Sequence, residues 1–74
     1  MYEDWQKIGK KIKMTRSSYF ISQTEMAKRV GVSRGIIRII ENGGNTSIPT
    51  LLKVLDVLGL RITVREIVPP SFRK

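Results

Sequence analysis

Neither cysteine nor histidine occurs among the 74 residues of the chain. Disulfide staples and Cys/His metal sites are therefore both excluded. Acids are scarce as well: there are six Asp and Glu in all. Glu3 and Asp4 are neighbours in sequence, and residues at i and i+1 do not share a helix face. No glycine-rich phosphate loop and no serine nucleophile elbow is present. No catalytic constellation can be assembled from what remains, so neither an enzyme nor a cofactor is expected. Long apolar runs are missing too. None reaches the ~20 residues needed to cross a bilayer, and the N-terminus lacks the apolar core of a signal peptide. A cytoplasmic, membrane-free location is the expectation.

A chain this short makes one domain. A core of that size supplies only ~3–5 kcal/mol before staples are added. With disulfides and metals excluded, self-association is the remaining staple. Positive charge, by contrast, is plentiful: 14 Lys and Arg give a net charge of +8. Between Trp5 and Arg38 nine basic residues face a single acid, Glu25. From Ile39 onward five basic residues face three acids. A basic N-terminal half points to a polyanionic partner.

Spacing then divides the chain. Trp5, Ile8, Ile12 and Thr15 recur at helical steps, so Tyr2 to Arg16 reads as a first helix. Lysines 7, 10, 11 and 13 take its other surface. Such a helix can lie on a membrane, but packing partners for its apolar stripe follow at once. Gly9 costs ~1 kcal/mol relative to Ala unless it permits close packing. Ser17 to Ile21 reads as a loop, with Tyr19, Phe20 and Ile21 expected to pack against the core. Ser22 caps a second helix, with Glu25 placed to complete a capping box. Met26, Ala27 and Val30 fall on one face of it. Gly31 suits a left-handed turn, Val32 plugs that turn, and Ser33 caps a third helix carrying Ile37 and Ile40. Asn42-Gly43 reads as its end. Two short helices joined by a tight glycine-containing turn describe a helix-turn-helix.

Ser47 caps a fourth helix, with Pro49 in its first turn, running to about Leu58 and stopping at Gly59. Leu51, Leu52, Val54, Leu55, Val57 and Leu58 make it apolar nearly all round. A helix of that kind is buried on more than one side, and in so small a protein the second side suggests another subunit. Arg61 to Val68 alternates as a half-buried strand. A single strand has no ladder partner within the chain, so pairing with its own copy across a two-fold axis is the simplest solution. The expected interface comprises Leu52, Val57, Ile62, Thr63, Val64 and Arg65. Pro69-Pro70 ends the strand, leaving 69–74 as a loose basic tail and 1–68 as the domain.

The stretch from Ser22 to Gly43 resembles the Cro/repressor helix-turn-helix family. The resemblance rests on Ser22-Gln23, Glu25-Met26-Ala27, Gly31-Val32-Ser33, Ile37 and Ile40-Glu41-Asn42-Gly43, and extends from about Ile8 to Leu60. It implies a mainly α, lambda-repressor-like domain of four to five helices that binds double-stranded DNA as a repressor. The family often has glycine where Phe20 stands. Four helices followed by a strand look most like the HipB-type antitoxin branch, which implies a HipA-type kinase toxin as a second partner. A free-standing phage-type or chromosomal regulator, and a protein-interaction domain using the basic face, are the alternatives.

The major groove admits one helix, and bases are read from its leading end. On the third helix the positions not used by Ile37 and Ile40 are Arg34, Gly35, Arg38 and Ile39. They are the expected base-contacting residues, and the resembled family agrees. Arginine's fork suits guanine O6 and N7, and Ile39 suits a thymine methyl. Ile36 is expected to be half-buried. Phosphate contacts are expected from helix starts and the following loop: Gln23, which matches the family's phosphate-binding glutamine, and Ser33, Asn42, Gly43, Asn45 and Thr46. Lys28 and Lys53 are further rim positions. By the same resemblance, Arg16 and Glu41 form an ion pair tying the first helix to the end of the third. A near-palindromic operator is the implied target of a homodimer.

Overall fold

The computed structural model describes residues 2–63. Four α-helices follow one another: α1 Tyr2–Ser18, α2 Gln23–Val30, α3 Arg34–Glu41 and α4 Ile48–Val57. The last three start where a hydroxyl can serve the orphan N–H groups of a first turn. The Ser22 side chain accepts from Glu25 N–H, Ser33 from Ile36 N–H and Ser47 from Thr50 N–H. The capping box at α2 is only half formed. The Glu25 carboxylate turns forward to Arg29 Nε, 3.3 Å away, rather than back to Ser22. Pro49 sits in the first turn of α4, as expected.

Each helix is followed by a left-handed residue. Gly31, Gly43 and Gly59 have φ of 86°, 80° and 71°, and Phe20 has φ 58°. After α1 the N–H of Ile21 returns to Arg16 O and that of Phe20 to Ser17 O. After α3 Gly44 N–H returns to Ile39 O and Gly43 N–H to Ile40 O. After α4 Leu60 N–H returns to Leu55 O and Gly59 N–H to Asp56 O. This is the paired 6→1 and 5→2 closure that a left-handed C′ residue permits. At the end of α1 that residue is phenylalanine. The chain therefore keeps the backbone for which the family often uses glycine, and accepts the steric cost.

The core is one cluster: Ile12, Met26, Ala27, Val30, Ile37, Ile40, Leu51, Val54, Leu55 and Leu58. Trp5, Ile8, Ile21, Val32, Ile36, Val57 and Leu60 pack partly against it. The helix stripes read from spacing thus converge, with α3 lying against both α2 and α1, and α4 against α2. Gly9 is buried at the α1–α3 crossing. A Cβ there would lie 2.4 Å from Ile40 O and 2.9 Å from Glu41 O, so only glycine lets the two backbones meet.

One expectation is corrected, and two are left without support among the described residues. Phe20 and Tyr19 do not join the core: Phe20 is 97% exposed and Tyr19 is also exposed. The left-handed backbone at Phe20 directs that side chain away from the helices. Val57, expected at a subunit interface, is half-buried against the chain's own core. No strand is assigned among the described residues. Arg61, Ile62 and Thr63 are exposed and non-helical. The rest of the expected strand, Val64 and Arg65 included, and the 69–74 tail lie outside the described residues.

Candidate nucleic-acid interface

The third helix owes its orientation to its buried face. Ile37 and Ile40 fix one side in the core, and Glu41 is buried at the C-terminal end. Of the remaining positions, Arg34, Gly35, Arg38 and Ile39 are exposed. Arg34, Gly35 and Arg38 line a shallow concavity of about 150 Å³. Ile39 is 43% exposed and Ile36 is half-buried. The helix therefore presents two guanidinium groups and one branched aliphatic group outward. Gly35 adds no side chain of its own to the concavity that the two arginines line. A Cβ built there would stand 3.8 Å from Ser33 Oγ.

The helix is locked from behind by a bidentate ion pair. Arg16 Nε donates to Glu41 Oε2 at 2.6 Å, and Arg16 Nη2 to Glu41 Oε1 at 3.0 Å. Arg16 Nη1 donates to the Ile21 carbonyl at 2.6 Å. The Glu41 side chain is 1% exposed. A fork-to-fork pair of this kind carries geometric specificity as well as charge. Hydrogen bonding to Glu41 raises the Arg16 pKa above its ordinary value against the opposing effect of burial. The expected ion pair is present, and it also anchors the loop after α1 through Ile21.

Gln23 is part of the same network. Its Nε2 donates to Glu41 Oε1 at 3.1 Å. One amide N–H thus faces inward, leaving the second N–H and the oxygen for an outside ligand. Ser33 is exposed, and its Oγ accepts from Ile36 N–H at 3.4 Å. The loop after α3 is narrower as a phosphate site than its composition suggests. The N–H groups of Asn42, Gly43 and Gly44 close the end of α3 on Arg38 O, Ile40 O and Ile39 O. Gly43 is buried, and a Cβ there would lie 2.9 Å from Gln6 Cγ. Gly43 therefore has no N–H to offer a phosphate. Asn42 keeps an exposed side chain, Asn45 is exposed and Thr46 is half-exposed. Lys28 and Lys53 are exposed, with Lys53 Nζ 3.6 Å from where a Cβ on Gly31 would stand. No spacing signal marks Gln6 as the residue that seats Gly43, because that contact joins elements far apart in the chain.

Leu52, of the expected subunit interface, is 49% exposed on α4, with Ile48 also exposed one turn before it. Ile62 and Thr63 are exposed as well. Among the described residues no group of His, Cys, Asp and Glu is placed to hold a metal ion. No described helix is long and apolar enough to cross a membrane.

Two short helices at a glycine turn, the second with an anchored apolar face and an exposed basic one, define a helix-turn-helix protein. The chain belongs to the helix-turn-helix family, whose model matches residues 21–64. Among curated relatives it is similar to the ImmF control region 10 kDa protein of Bacillus phage phi105. The two are 39% identical over 62 residues, which cover 82% of this chain and 69% of the relative. Among solved structures it is similar to the restriction-modification controller protein C.AhdI from Aeromonas hydrophila. That match has a TM-score of 0.72 at 28% identity, covering 81% of this chain and 88% of the controller.

Proposed function

We propose that the chain is a sequence-specific, DNA-binding transcriptional regulator that acts as a homodimer on a near-palindromic operator. The observation that carries this reading is the exposure of Arg34, Gly35, Arg38 and Ile39 on a helix whose opposite face is pinned by Ile37, Ile40 and the Glu41 ion pair. Arg34 stands in the first turn, where a side chain reaches base edges. Arg38, one turn on, reads a second base or holds a phosphate. Gln23, Ser33, Asn42, Asn45 and Thr46 set the register on the backbone.

The homodimer rests on the exposed apolar side chains of Ile48, Leu52 and Ile62 and on the small core. Two α3 helices related by a two-fold axis require half-sites about one helical turn apart, ~34–36 Å. The relatives, a phage control-region protein and a restriction-modification controller, favour a free-standing regulator. The antitoxin variant, with a HipA-type toxin as second partner, draws on the expected order of four helices and a strand and on the wording of residues 41–64. Co-purification from the native host separates the two variants.

The test is selection of bound duplexes from a random library, followed by two mutants. Arg34→Ala relaxes one position in each half-site, a loss of ~1–3 kcal/mol of discrimination there. Gln23→Ala weakens all sequences alike. Uniform loss in both mutants refutes α3 as the base-reading helix.

A further inference from the structure

The four lysines of α1 divide into two sets. At about 100° per residue, Lys7 and Lys11 both lie ~160° around the helix from Gly9, whereas Lys13 lies ~40° and Lys10 ~100° from it. Gly9 is the point where α1 meets the Ile40 and Glu41 carbonyls at the end of α3. Lys7 and Lys11 border a different surface. They line a concavity of about 280 Å³ with Ile8, Leu55, Leu60, Arg61 and Ile62.

Lys13 is four residues after Gly9 and three before Arg16, so it shares their helix face. Through Arg16 it neighbours Glu41, and through Glu41 the Gln23 amide. Lys10 is four residues after Gln6, the residue against which Gly43 is seated. These two lysines therefore stand over the junction between the start of α2 and the turn after α3. Those two segments carry Gln23 on one side and Asn45 and Thr46 on the other. Both lysines are exposed, and no ion pair among the described residues involves either.

We infer that Lys10 and Lys13 contact the phosphate backbone of duplex DNA, bridging the Gln23 and Asn45–Thr46 contacts, while Lys7 and Lys11 take no part. The inference rests on the DNA-binding reading above. It assigns α1 a share of the footprint that the helix-turn-helix alone does not supply.

The experiment compares the full chain with two doubly substituted chains, Lys10→Gln with Lys13→Gln and Lys7→Gln with Lys11→Gln. Both lose the same charge, so long-range attraction falls alike. Each binds a short random-sequence DNA duplex over a range of salt concentrations. Each phosphate contact contributes about −0.9 to the slope of log K against log salt. The first pair is expected to flatten the slope by ~1.8 relative to the second. Equal slopes in the two doubly substituted chains overturn the inference while leaving the DNA-binding reading standing. Absence of any salt-dependent duplex binding by the unsubstituted chain overturns both. A structural role at the end of α3 predicts something different: a lower melting temperature for the first pair with an unchanged slope, which also refutes the contact.

Discussion

Phe20 shows how one side chain can be at odds with its own backbone. Its left-handed φ of 58° closes α1, yet its ring is 97% exposed and contributes nothing to the core. A non-glycine residue in that region costs ~1–2 kcal/mol. Glycine would remove this, but would add ~0.4–1 kcal/mol of unfolded-state entropy. Phe20→Gly is therefore expected to stabilise the fold by ~0.5–1 kcal/mol, read as a melting point a few degrees higher. A lower melting point would mean that the ring has a partner in solution. The glycine missing from this position is visible in the sequence by resemblance. That the backbone would hold its shape regardless is not, because the two return hydrogen bonds to Arg16 and Ser17 outweigh one strained residue.

At the scale of elements, the arrangement turns on how α3 is held. Glu41 receives both arms of Arg16 and the Gln23 amide, so one carboxylate ties together α1, α2 and α3. Removing one partner of a buried pair costs ~3–5 kcal/mol. That equals the whole core contribution expected of a domain this size, ~3–5 kcal/mol. Glu41→Ala should leave the chain largely unfolded at room temperature by circular dichroism. An unchanged melting transition would contradict the structural role. The raised Arg16 pKa sets the sign of its pH dependence. A cation held above its unfolded value contributes stability that is complete below that value and disappears only as pH climbs through the folded one. For arginine that window is strongly alkaline, so Arg16 introduces no pH dependence near neutrality.

For the whole molecule, charge acts in two opposite directions. A net charge of +8 on so small a chain is self-repulsive in the folded state. Added salt screens exposed charges over about 10 Å at 0.1 M and buried pairs much less. The Arg16–Glu41 pair therefore survives while the repulsion fades. The melting temperature is expected to rise with salt, while affinity for duplex DNA falls over the same range. If both fall together, exposed ion pairs rather than repulsion dominate the fold.

Local chemistry determined much of this protein in advance. Ser22, Ser33 and Ser47 start helices because a hydroxyl meets an orphan N–H within one turn, and glycines end them because the left-handed corner is local. Period 3.6 picked out Ile12, Met26, Ile37 and Ile40 as buried, and by subtraction Arg34 and Arg38 as exposed. Contacts between distant segments were decided only by the fold. Gly9 against the α3 carbonyls, Gly43 against Gln6, and Gln23 on Glu41 all join residues that no spacing rule connects. The loop after α3 offered fewer free N–H groups than its composition suggests for the same reason, because those of Asn42 to Gly44 were claimed by the end of α3. A side chain's neighbours along the helix follow from the chain itself, but what lies across from it follows from how the helices pack.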